Sequence, residues 1–109
     1  MSLLILKDLA AKEVITDSFE YQDRNHFSYI DQNNDEVKVD IYEDGIILLK
    51  KAKDYFLTLS LRKDSYALIE SNEGKVEINA KVVEFSKNND ILVMRYLIDD
   101  VNKEIVINY

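Results

Sequence analysis

The sequence predicts an all-β fold, an antiparallel up-and-down barrel of about eight strands. Three observations predict it. Short runs that alternate apolar and polar residues recur along the chain, separated by polar turn clusters. No helical run long enough for a crossover between parallel strands lies among them, so neighbouring strands run antiparallel. Eight consecutive strands left open would also expose two sheet edges, which closure removes. A two-sheet β-sandwich is the alternative arrangement of the same strands.

Each element follows from its own residues. In Glu36–Tyr42, Val37, Val39 and Ile41 alternate with Lys38, Asp40 and Tyr42, giving one apolar face. Asp44-Gly45 is a favoured pair for a type I′ hairpin, which needs φ > 0 at both positions, and Gly45–Lys51 is the partner strand. Asp54–Leu61 places Tyr55, Leu57, Leu59 and Leu61 on one side, and Arg62-Lys63-Asp64 forms a polar tip. Ser65–Glu70 leads into the turn Ser71-Asn72-Glu73-Gly74. Lys75–Phe85 then alternates Val76, Ile78, Ala80 and Val82 against Glu77, Asn79 and Lys81. Asp90–Asp99 and Lys103–Tyr109 form a last hairpin across Asp100-Val101-Asn102. Upstream, Val14–Tyr21 and Asn25–Asp31 read as two further strands rich in β-favouring aromatics. Leu3–Lys12 has a helix-favouring composition, whereas Leu3–Leu6 reads equally as a strand.

Length and charge bound the rest. The 109 residues hold one domain, residues 1–109, in which 1–13 is strand or short helix. Apolar residues make up 47%, enough for one core, and the net charge of −7 suits a soluble surface. An acidic chain opposes binding to nucleic acid or anionic membrane, both of which draw affinity from neutralised phosphates. The densest basic stretch, Lys50, Lys51 and Lys53, reads as a solvated hairpin tip. The chain has no cysteine, opens with no basic and apolar leader, and has no apolar run near bilayer length. A cytoplasmic location is the expectation.

Two strands, Ile46–Leu49 and Ile91–Ile98, are apolar on both faces. Their outward sides need cover, from a docked N-terminus or from a second copy in a homodimer.

Four stretches resemble a known family. These are Phe27-Ser28-Tyr29-Ile30-Asp31, Glu36-Val37-Lys38-Val39-Asp40-Ile41, Tyr66 with Gly74, and Leu92-Val93-Met94-Arg95-Tyr96-Leu97-Ile98. They resemble, in turn, the tyrosine-rich second strand, a Val-Lys-x-x-Ile strand, a Tyr-x-Thr-Pro-x-Gly hairpin and a Tyr-x-Leu penultimate strand of the YwiB-like (DUF1934) family of small bacterial proteins. The Thr-Pro of that hairpin is absent here; Glu70 and Ser71 stand nearby. The resemblance spans Ile15 to Tyr109 and implies a lipocalin-like, calycin-type barrel. It supplies no established activity and no catalytic residue.

The chemistry of sites is sparse. One histidine, His26, and no cysteine leave no triad and no zinc set. The acidic clusters Asp31–Glu36 and Asp99-Asp100 lack calcium-loop spacing, and two glycines build no phosphate loop. No cofactor, no metal and no catalysis is expected. Tyrosines in strands offer apolar area with one polar tip, which suits a lined pocket or plain barrel packing. Tyr29, Tyr66, Arg95 and Tyr96 are the candidate ligand-binding residues. Arg95 needs an anionic partner if it points inward, but Leu92, Met94, Tyr96 and Ile98 make the better inner face and turn it outward. The expected function is non-catalytic binding of a small apolar ligand, as carrier or sensor. The alternative is an assembly module acting through an apolar outer strand face.

Overall fold

Period-two patterning becomes an eleven-stranded antiparallel sheet. The computed structural model describes residues 3–8, 12–15, 20–23 and 25–108, with side chains from 25 to 107. Its strands are β1 (Leu3–Asp8), β2 (Lys12–Ile15), β3 (Glu20–Asp23), β4 (His26–Ile30), β5 (Glu36–Tyr42), β6 (Gly45–Lys51), β7 (Tyr55–Leu61), β8 (Tyr66–Ser71), β9 (Gly74–Lys87), β10 (Ile91–Ile98) and β11 (Val101–Asn108). No helix occurs among the described residues, and none is long and apolar enough to cross a membrane. The fold is all-β and up-and-down, as read from the sequence.

From β3 to β11 every strand pairs with its chain neighbour, and β1 then pairs with β11, Leu3 opposite Asn108. The two ends of the chain therefore lie side by side. β2 and β3 are the outer strands of the order, so the sheet is a curled half-barrel rather than a ring of ladders among the described residues. It is one continuous sheet, which decides for the barrel over two separate sheets.

In the ambiguous Leu3–Lys12 segment, Leu3–Asp8 is strand β1, since Leu4, Ile5 and Leu6 fall in register with Ile107, Val106 and Ile105; residues 9–11 lie outside the described residues. Pairing with a β-rich edge overrides helix propensity there. The expected strand Val14–Tyr21 is instead two strands, β2 and β3; residues 16–19 lie outside the described residues.

Cross-strand register sorts the side chains into rows. One inward row runs Phe27, Val39, Leu48, Leu59, Ala67, Ile78 across β4 to β9. Leu92, Met94 and Tyr96 of β10 with Ile105 and Ile107 of β11 close the core from the other half of the sheet. Burying one such aliphatic side chain contributes about 2 kcal/mol. An exposed ion pair contributes about 0.5 kcal/mol, so the core dominates the fold.

The hairpins correct two expectations. The β5–β6 loop is Glu43-Asp44, with Tyr42 opposite Gly45, and neither loop residue has positive φ. Gly45 is instead the first residue of β6 at φ 155°, where an added Cβ would overlap the Leu61 carbonyl oxygen. The close approach of β7 selects glycine, not a type I′ turn. The type I′-like loop lies at Asp99-Asp100, φ 49° and 65°, one to two residues before the expected turn. Aspartate tolerates this left-handed backbone through its short polar side chain.

Lys50 corrects a third. Its register with Val37 and Leu57 puts it on the inward face, so it is no part of a solvated tip. Its ammonium lies 3.1 Å from Asp31 and 3.4 Å from Asp35, and the Asp31 side chain is 5% exposed. Asp31 also accepts the amides of Asn33 and Asp35 at 2.9 Å, which folds the β4–β5 loop over this end of the core. Burial works to lower the Lys50 pKa. The hydrogen bond and charge of Asp31, helped by Tyr55, outweigh burial and leave it above the ordinary 10.5.

Candidate ligand cleft at the elbow of β9

The longest strand serves two partners in succession. Residues Gly74 to Asn79 of β9 pair with β8, and Ala80 to Lys87 pair with β10. The hand-over comes where β8 starts, at Tyr66 opposite Asn79. Asn79 has no β8 residue beyond it, and its carbonyl accepts the Asp99 amide at 3.1 Å. Further along, Glu84 opposes Arg95 and Val82 opposes Tyr96, which leaves Val83 as a bulge, 58% exposed. A bulge bends its strand and strengthens the local twist. The adjacent pair Val82-Val83, which breaks the alternation, was the sequence signal for it.

Where β9 outruns β8 lies a cleft of about 520 Å³. That volume falls in the range of small-ligand sites, about 300–1,000 Å³. Arg62, Lys63, Asp64 and Ser65 of the β7–β8 connection form one wall, with Tyr66 at its end. Glu77, Ala80, Lys81 and Val82 of β9 form the other.

The first wall is pinned. The Arg62 Nε donates to Asp44 at 2.8 Å, and its guanidinium sits 4.0 Å from the centre of the Tyr42 ring. The Ser65 hydroxyl donates to the Arg62 carbonyl at 2.7 Å. The hydrogen bond from Arg62 holds the Asp44 carboxyl below its ordinary pKa. Lys63, Lys81, Asp64 and Glu77 make no hydrogen bond or ion pair among the described residues. Their charged ends line the cleft. The cleft carries three cations and two anions, a local balance of +1 on a chain of −7.

The four sequence-named residues do not converge. Tyr66 lines the cleft. Tyr29 and Tyr96 are 2% and 6% exposed and belong to the core, Tyr29 stacking on Phe27 at 6.4 Å between ring centres. Arg95 points outward, as the better inner face of β10 required. Its guanidinium meets Glu104 at 3.0 Å and Glu84 at 3.3 Å, one partner from each flanking strand. Ala80, Val82, Lys63 and Lys81 were not singled out in the sequence, because the elbow that gathers them is a property of pairing rather than of any local motif.

His26 faces Asp40 across β4 and β5, Nδ1 to Oδ1 2.7 Å. Ser60 lies in the same outward row two strands beyond Asp40. Three strand spacings, about 14 Å, separate it from His26, so the three form no hydrolytic triad. Among the described residues no group of three or more His, Asp or Glu is placed to hold a metal ion.

The fold and cleft define a curled antiparallel half-barrel with an external, charged and partly apolar recess. No family model matches the sequence, and no curated protein does. Among solved structures the chain is similar to the ywiB protein from Bacillus subtilis. The two share 15% identity over 98% of this chain and 87% of that one, with a TM-score of 0.39. The fold assignment rests on the strand ladder described above.

Proposed function

We propose that this half-barrel binds a small amphipathic molecule in the cleft at the β9 elbow and acts as a non-catalytic carrier or sensor. The observation that carries the reading is the cleft itself. Apolar surface from Tyr66, Ala80 and Val82 lies beside four charged side chains that make no hydrogen bond or ion pair among the described residues. Unpartnered charge in a recess of ligand size suits a molecule with an apolar body and a charged end. The sequence leads one to expect an apolar ligand in the barrel mouth; the elbow favours an outer, amphipathic one, since Tyr29 and Tyr96 are buried in the core. The acidic chain supports a partner other than nucleic acid or anionic membrane. The lack of cysteine supports a reducing, cytoplasmic setting.

Native mass spectrometry of freshly purified protein, followed by amide-shift mapping of a fragment library, tests this. A co-purified small molecule, or fragments shifting Tyr66, Ala80 and Val82 and silenced by Tyr66→Ala, supports it. A library that moves no cleft amide at millimolar concentration overturns it.

A further inference from the structure

The outward face of β5 to β9 carries a pattern that extends well beyond the cleft and shares only Tyr66 and Glu77 with it. Register gives three outward rows. The first is Asp40, Ile47, Ser60, Tyr66, Asn79; the second is Lys38, Leu49, Thr58, Leu68, Glu77; the third is Glu36, Lys51, Phe56, Glu70, Lys75. Apolar side chains hold the middle: Ile47, Leu49 and Leu68 are half-buried and Phe56 is 38% exposed. Charges hold the flanks.

The charges are antisymmetric about β7. In the second row Lys38, two strands before β7, has Glu77 two strands after it. In the third row Glu36 and Lys75 occupy the same two places, and Lys51 and Glu70 the adjacent ones. A two-fold axis along β7 between two stacked copies reverses the order of each row. It sets Lys38 opposite the partner's Glu77, Glu36 opposite the partner's Lys75, and Lys51 opposite the partner's Glu70. The same operation sets Leu49 on the partner's Leu68, Ile47 on the partner's Tyr66, and Phe56 on the partner's Phe56. All three flanking pairs are opposite in sign, although Lys75 and Glu70 already lie 3.7 Å apart within one copy, so Lys38 and Glu77 carry the charge complementarity. The middle is apolar at Ile47, Leu49, Leu68 and Phe56, with Thr58 and the buried Ser60 on the axis itself.

We infer that this face is a self-association surface and that its occupant is a second copy of this chain, related by a two-fold axis along β7. A two-fold interface needs one patch complementary to itself. Five strands at about 4.8 Å and three outward positions cover about 500 Å² per copy, near the lower limit of specific interfaces. The dimer is therefore weak and depends on salt, because exposed charges set its register. Glu77 also lines the cleft, so the partner's Lys38 meets the cleft's lip. Tyr66 is shared in the same way, so the interface and the cleft meet along one edge.

Sedimentation velocity on the full chain, at about 25 mM and about 1 M salt, tests it. The expected result is a monomer–dimer equilibrium that shifts to monomer in high salt. Lys38→Glu weakens the dimer by about tenfold or more, since it sets like charges against each other on both sides of the axis. Adding Glu77→Lys restores it, because the two exchanged charges again meet with opposite signs. Circular dichroism confirms that both variants keep the fold, as their side chains are exposed. A monomer at every concentration in low salt overturns the inference, and so does a dimer indifferent to Lys38→Glu or unrescued by the second change.

Discussion

The β5–β6 hairpin and strand β9 each use fourteen residues of alternating sequence, with opposite results. The hairpin buries Val37, Val39, Ile41, Ile46 and Leu48. No residue of β9 is fully buried, and Val76 is 58% exposed. Alternation decides which way a side chain points; the curl of the sheet decides what lies over it. The hairpin has β4 and β7 on its flanks and the β10–β11 half of the core across from it. β9 is the bend between the two halves, and its inward face lines an opening. The hairpin holds the fold, and the elbow is where surface remains for a ligand.

The sharpest way to break this contrast is Gly45→Ala. The new methyl would overlap the Leu61 carbonyl oxygen from a backbone held at φ 155°. Backbone must shift on both strands, so a loss of about 3 kcal/mol or more is expected in urea unfolding. Gly74 starts β9 in the equivalent place, at φ 126°, but an added Cβ there meets nothing within 4 Å. Gly74→Ala should cost about 1 kcal/mol, from backbone strain alone. Equal losses at the two glycines would remove the close-approach explanation.

One substitution at two sites sharpens the contrast further. Val39→Ala removes two methyl groups from a side chain 1% exposed and should cost about 2 kcal/mol. Val76→Ala should cost under about 0.5 kcal/mol. Calorimetry that found similar shifts in Tm for both would place β9 in the core.

The far end of the hairpin gives an intermediate effect. Asp31→Ala removes the partner of inward-facing Lys50 and the cap on the loop amides, for an expected loss of about 2 kcal/mol. The Lys50 pKa is raised in the fold, so the pairing stabilises fully below pH 10.5 and is lost as pH climbs through the higher folded value. The difference between wild type and Asp31→Ala should then hold steady from about pH 7 to 10 and shrink only beyond that. A gap that closed by neutral pH would contradict the inward lysine.

The smallest effect is a gain. Asp100 sits at φ 65°, a conformation that glycine adopts without steric strain. Asp100→Gly should stabilise by about 0.5 kcal/mol, read as a small rise in urea midpoint.

Most of the fold was legible because its signals are local. Strand β5 matches the alternation of Val37, Val39 and Ile41, and β5 and β6 match the expected bounds residue for residue; in β6, apolar on both faces by sequence, Ile46 and Leu48 are the buried side. The sequence places the turn one to two residues late because Asn102 and Lys103 follow the lone Val101, and aspartate accepts a left-handed backbone without announcing it. Lys50 reads as surface because nothing adjacent in sequence shows that Asp31 will fold over it. The cleft was legible only at Tyr66. Its other lining residues come together because β9 changes partners midway, a decision made by tertiary pairing on a stretch with no glycine or proline after Gly74. Tyr29 and Tyr96 carry the same sequence signature as Tyr66, yet their rows face the core.

The claim on which fold and cleft both depend is that β9 joins two halves of one sheet within a single chain. Backbone NOEs of labelled protein, at a dilution that keeps it monomeric, test that directly. Cross-strand contacts from Leu68 to Glu77 and from Lys81 to Leu97 in the same molecule are the predicted result. Contacts on only one side of Asn79, or helical contacts along 74–87, would contradict it.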